Sequence, residues 1–150
     1  FSQFSPKRII LDRNLKINLK SYIAKSIKNE NTIIFHNSND KSKIKLLKKR
    51  GTILIKQSTN KYKNLDLKKI LKDLYKMEIR NLLVEGGDIL TKNFIQKKLF
   101  NEFYMFRSSK NLSKNKKHVN FTSFSILNTK YNKHKINSKL ASDQLTIYKN

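Results

Sequence analysis

The chain has no cysteine, no tryptophan, one proline and three glycines in 150 residues. Without cysteine there is no disulfide framework, no thiolate zinc site, no iron–sulfur cluster and no cysteine nucleophile. No apolar run approaches the roughly 18–20 residues that cross a bilayer, so the sequence predicts no membrane span. Acids are scarce, at 10 against 34 lysines and arginines. The three histidines, His36 as the polar end of a strand and His118 and His134 in polar loops, are widely spaced, which argues against a metal enzyme, and no metal ligands are assigned. The first residue is Phe1 and no basic–apolar–small signal pattern follows it, so the expectation is a piece of a longer cytoplasmic protein.

What is present is charge, +24 at neutral pH, and a hydrophobic fraction of 37% that suffices for one modest core. The charge invites a nucleic-acid reading, with Lys114, Lys116 and Lys117 as the densest patch and Phe121 and Phe124 beyond it. Two facts weaken that alternative. Only five of the 34 basic residues are arginines, and 29 Lys, 18 Asn and 17 Ile together fill 64 positions. All three residue types have A/T-rich codons, so base-composition drift raises them together, and the lysines are spread over every segment.

Apolar runs and helical spacing alternate along the chain. Residues 8–12 (RIILD), 32–36 (TIIFH) and 52–56 (TILIK) read as buried strands. Residues 40–50 read as a short helix with Gly51 just past its end. Leu67, Ile70, Leu71, Leu74 and Met77 predict a helix capped by Asp66. Residues 81–85 (NLLVE) predict a fourth strand, followed by Gly86-Gly87 and a helix marked by Leu90, Phe94, Ile95 and Leu99. Residues 102–107 (EFYMFR) predict a fifth strand. A polar loop over 108–120 and a hairpin over 135–150, turning near Ala141-Ser142-Asp143, complete the pattern. Strand–helix alternation predicts a three-layer α/β fold with a mostly parallel central sheet, helices on both faces and a C-terminal antiparallel hairpin, here as one domain. Ligands of such sheets bind beyond the carboxyl ends of the strands.

The strongest chemical signal is an apolar strand that ends on Glu85, then two glycines, then a helix. A Gly-Gly turn admits a ligand to the main chain, and a helix start offers N–H groups to phosphate. A tight turn with Glu85 as a cap or ion-pair partner fits the same residues. Asp88 opposes an anion there while serving the helix.

Residues 81–106 resemble the signature of the riboflavin-biosynthesis pyrimidine reductases. The matching residues are Val84-Glu85-Gly86-Gly87, the helix with Leu90 and Phe94, and Leu99-Phe100-Asn101-Glu102. Pro6-Lys7-Arg8-Ile9-Ile10-Leu11-Asp12-Arg13 is similar to a second segment of that family. The resemblance implies a dihydrofolate-reductase-like fold and the reductase half of a bifunctional deaminase–reductase. It implies NADPH as cofactor, a phosphoribosylaminopyrimidine as small-molecule substrate, and a homodimer. By the same resemblance Glu85 binds substrate. Gly87, Asp88, Ile89, Leu90, Thr91, Lys92 and Asn93 wrap the dinucleotide, Gly86 lets the turn form, and Arg13 contacts the cofactor. No catalytic acid or base is assigned. Ser108-Ser109 stand where the family has Ala-Pro, and the family's first strand is expected upstream of Phe1.

Overall fold

The computed structural model describes residues 6–60, 62–109, 121, 123–136 and 143–150. They form two compact units, Phe1–Arg80 and Asn81–Asn150. The first contains β1 (Arg8–Leu11), α1 (Tyr22–Lys25), β2 (Thr32–His36), α2 (Lys41–Lys49), β3 (Thr52–Lys56) and α3 (Leu67–Lys76). The second contains α4 (Asp88–Gln96), β4 (Glu102–Arg107), α5 (Phe124–Lys130), β5 (Asn132–Ile136) and β6 (Gln144–Lys149).

In the first unit the strands are parallel in the order β1-β2-β3, with Ile10, Ile34 and Leu54 in one row across the sheet. All five residues of β2 are buried, which is why its apolar run is continuous rather than alternating. The Ile10–Ile34–Leu54 row packs against Ile44 and Leu47 of α2 and against Leu15, Ile17, Leu19 and Ile27 from the connection after β1. Asp40 caps α2 by accepting from the Lys43 N–H, and Asp66 caps α3 by accepting from Lys68 and Lys69. Gly51 takes φ +82° after α2, the left-handed turn that favours glycine. Arg50 donates to the carbonyls of Leu19 and Ala24, and Arg8 donates to Ser26 and Asn31. Both guanidiniums tie the connection before β2 to the rest of the unit.

In the second unit the sheet is antiparallel, in the order β4-β6-β5. Phe103 and Met105 of β4 and Tyr148 of β6 share one face and pack with Ile95, Phe100, Ile126, Leu127 and Tyr131. The rings of Phe100 and Tyr131 lie 4.9 Å apart. The Tyr131 hydroxyl donates to the Ile95 carbonyl at 2.6 Å, joining the end of α5 to α4. Burial raises the pKa of that phenol.

The α/β class, the three parallel strands and the closing antiparallel pair agree with the sequence pattern. Four expectations need correction. Residues 81–87 form no strand, and Leu83 is 83% exposed. An apolar run becomes a strand only where a neighbouring edge takes its N–H and C=O groups, and no described strand pairs with this one. The described strands therefore form two three-stranded sheets, one in each unit, and β4 pairs with β6 alone among the described residues. His134 lies on β5, paired with Ile147, rather than in a loop. The hairpin begins at Asn132, three residues before its expected start. The short helices α1 and α5 were not expected. Lys114, Lys116, Lys117, His118 and the hairpin turn at 141–142 lie outside the described residues.

Candidate active site

The residues that follow the unpaired apolar run begin α4. Gly87 is its N-cap, with φ −71° and no side-chain cap hydrogen bond. Its carbonyl accepts from Leu90 and Thr91 at 3.1 and 3.2 Å, which starts the helix from the backbone alone. A Cβ on Gly87 would meet nothing within 4 Å, so the space before the helix is open. A Cβ on Gly86 would stand 2.8 Å from Leu90 Cδ2. Neither glycine has positive φ. A side chain at Gly86 would thus have to displace the Leu90 side chain, while the left-handed turn conformation expected from the sequence is absent at both glycines.

An open groove of about 660 Å³ runs beside this start. Val84, Glu85, Gly86 and Thr91 line one side; Phe103 to Arg107, Phe121 and Phe124 line the rest. Phe103 stacks on Phe121 with centroids 6.1 Å apart. The Arg107 guanidinium sits 5.1 Å over the Phe124 ring. Tyr104 donates to Glu102 at 2.6 Å, and Lys149 pairs with Glu102 at 3.1 Å. The hydrogen bond from Tyr104, with Lys149 adding to it, holds the Glu102 carboxyl below its usual range. The same bond raises the Tyr104 pKa. The groove thus offers a carboxylate, a guanidinium, a hydroxyl and aromatic walls, which suits a planar polar ligand carrying an anion.

Of the expected site residues, Glu85 and Thr91 line the groove and Gly87 caps the adjoining helix. Leu90 is half-buried over Gly86, and Ile89 and Lys92 are exposed. Asn93 donates to the Ile89 carbonyl at 2.8 Å, so its amide serves its own helix. Asp88 opens the first turn, where its charge suits the helix dipole. Arg13 belongs to the first unit, where it donates to the Lys63 carbonyl and to Asn14 Oδ1.

The first unit has its own polar cluster at the carboxyl ends of its strands. Asp12 accepts from the Lys16 and Ile17 N–H groups at 2.8 and 2.7 Å. His36 is 3% exposed, and its Nδ1 accepts from the Ser38 N–H at 3.2 Å. Burial lowers the His36 pKa; Lys56 adds to this and Asp12 opposes it. Gln57 donates to Asp73 of α3 at 2.8 Å. His36 is a polar strand terminus, as its sequence position suggested.

Comparison with known proteins decides the family. The profile of the family described as "RibD C-terminal domain" matches residues 2–138. The chain belongs to the RibD C-terminal domain family. It is 32% identical over 105 residues to the riboflavin biosynthesis protein RibD of Aquifex aeolicus (strain VF5). It is 29% identical over 106 residues to the protein of that name from Actinobacillus pleuropneumoniae. Each alignment covers 70% of this chain and 28% of the relative, so the chain spans under a third of those proteins. Among solved structures, two forms of Acinetobacter baumannii RibD superpose with a TM-score of 0.68 at 19% and 20% identity. Each covers 96% of this chain and 37% of the other, and they establish the dihydrofolate-reductase-like fold.

For a RibD C-terminal domain, the groove walls were the part missed in the sequence. Phe121 and Phe124 were noticed only beside the lysine-rich run, and Arg107 only as the end of a strand. The available signal was α5 itself: Ser123 precedes Phe124, Leu127 and Tyr131, apolar residues at 3–4 spacing. Among the described residues, no three His, Cys, Asp or Glu side chains cluster to hold a metal, and no helix is long and apolar enough to cross a membrane.

Proposed function

We propose that this chain carries out NADPH-dependent reduction of the ribosyl group of 5-amino-6-(5-phosphoribosylamino)uracil to the ribityl group. Family membership supports the reaction class. The observation that carries the site is that Glu85, Gly86 and Thr91 of α4 line one aromatic-walled groove beside the helix start, where Gly87 makes no side-chain cap. Glu85 accepts hydrogen bonds from the donor-rich pyrimidine. The α4 start, with Gly87 leaving open space before it, takes a phosphate of the dinucleotide. When bound, NADPH would supply the hydride; the ribosyl ring opens at its C1–O bond to an imine, the ring oxygen becoming a hydroxyl, and C1 takes the hydride while the nitrogen takes a proton from solvent. The protein's share is holding the reactants in contact and orienting them, which needs no protein nucleophile. Arg13, with a guanidinium just past β1, is proposed as a second cofactor contact.

The reading extends to a cytoplasmic homodimer and to a parent chain with a deaminase domain. It also carries the expectation of a first strand upstream of Phe1. Sedimentation equilibrium tests the dimer.

The test of function is titration with NADPH and NADH in about 0.3 M salt, where the Debye length is a few ångströms and nonspecific attraction to a +24 chain is damped. Saturable binding that prefers NADPH is expected, followed by turnover of the pyrimidine substrate. Failure of both nucleotides to bind, repeated on a chain extended upstream, refutes the reading. Salt-sensitive binding of RNA or DNA, indifferent to Gly87→Asp, would favour the nucleic-acid alternative.

A further inference from the structure

Four of the five arginines serve the first unit. Arg8, Arg13 and Arg50 donate to carbonyls within it. Arg80 stacks 4.0 Å from the Tyr75 ring centroid and donates to the Tyr75 carbonyl. Arg107 stands apart. It ends β4 and lines the groove. Among the described residues no lysine lines that groove, and its lining holds one cation, Arg107, and one carboxylate, Glu85.

We propose that Arg107 is the groove's phosphate ligand, binding a phosphate monoester on the molecule that occupies it; this deepens the reductase reading and rests on it. The guanidinium carbon lies 5.1 Å over the Phe124 ring, a cation–π contact that restrains the side chain while its five N–H donors stay in the guanidinium plane. A planar fork held by a ring is pre-organised for two parallel hydrogen bonds to phosphate. Glu85 in the same groove repels an anion from its own position. A ligand with donors at one end and phosphate at the other is therefore aligned by both charges. Two sources share this chemistry: the 5′-phosphate of the pyrimidine substrate and the 2′-phosphate that distinguishes NADPH from NADH.

The experiment compares two ligand pairs on the whole chain in about 0.3 M salt. One pair is the phosphorylated pyrimidine and its dephosphorylated form; the other is NADPH and NADH. Wild type, Arg107→Gln and Arg107→Lys are titrated beside Lys133→Gln, which removes one charge from an exposed position on β5. Unchanged circular dichroism and melting show that each variant folds. The expected result is a wild-type preference of about tenfold or more for the phosphorylated member of one pair. Arg107→Gln abolishes that preference while keeping affinity for the dephosphorylated member within about twofold. Arg107→Lys keeps part of it, Lys133→Gln keeps all of it, and the pair that collapses identifies the source. The assignment is overturned if Arg107→Gln retains the preference in both pairs, if wild type binds without preference, or if Lys133→Gln loses as much. Wild type binding neither pair refutes the reductase reading itself, a different outcome from binding with Arg107 irrelevant.

Discussion

Gly87→Asp changes helix stability and ligand affinity in opposite directions, and both follow from one position. The residue is the N-cap of α4, has ordinary negative φ and has no atom within 4 Å of where a Cβ would stand. An aspartate fits without strain and its carboxylate accepts from the second or third N–H of the helix. Replacing an N-cap glycine with aspartate gains a few tenths of a kcal/mol, and the helix dipole adds about 0.3–1 kcal/mol. A total near 1 kcal/mol raises the melting temperature by about 2–4 °C. The same carboxylate stands where the dinucleotide phosphate is proposed to sit. Two like charges about 4 Å apart repel by roughly 1 kcal/mol in water and about 4 kcal/mol near a protein surface. Affinity for NADPH should fall about tenfold to a hundredfold, with the side chain also occupying the N–H groups that phosphate would use. Gly87→Asn supplies the cap without the charge, so it should match the stability gain and lose less affinity. Thermal melts and nicotinamide-fluorescence titrations measure the two effects separately. A Gly87→Asp protein that binds NADPH like wild type would show that the α4 start does not face the cofactor. One that melts lower would show that the capping argument is wrong.

Other consequences are as direct. Tyr131→Phe removes the hydroxyl that reaches the Ile95 carbonyl and should cost about 1 kcal/mol, read from denaturant melts; no change would mean water replaces the bond without loss. Leu47→Ala empties a fully buried site between α2 and the parallel sheet and should cost about 2–5 kcal/mol, with loss of the cooperative transition of the first unit. His36 has a folded pKa below its unfolded value near 6.5, because burial disfavours the imidazolium. The unfolded chain therefore binds the proton first, and stability should fall as pH drops from about 6.5 toward the folded pKa. His36→Gln should flatten that slope in melts between about pH 5 and 7.5; an unchanged slope would assign it elsewhere.

The parts legible in the sequence are those set by local rules or by a saturated environment. β2 and β3 have the bounds their apolar runs suggest, because β2 lies between two strands and buries both faces. Asp40, Asp66 and Gly51 mark helix ends through hydrogen bonds within three residues of themselves. Residues 81–85 carry a three-residue apolar run like those strands and form none, because strand formation also requires a partner edge, which no local pattern encodes. α5 was hidden by its short length and by the polar run before it. Within the site, Glu85 and Gly87 stood out through the Gly-Gly turn. Arg107 and Phe124 are 17 residues apart and meet only when the strand and the helix are placed. The crowding at Gly86 comes from Leu90, four residues later, which the Gly-Gly pattern by itself does not show.

The edge of β4 that pairs with no described strand has a consequence for the protein as a solution species. Unpaired strand edges template the addition of further strands, and Tyr104 and Phe106, 50% and 67% exposed, flank this one with apolar surface. Mutual repulsion at +24 opposes such edge-to-edge addition. That repulsion fades as salt shortens its range, while pairing of strand edges does not. Self-association should therefore increase with ionic strength, so the salt that suppresses nonspecific ligand binding also brings the chains together. Colloidal stability here resides in the lysine-rich surface, and it is exchanged against specificity whenever the buffer is chosen.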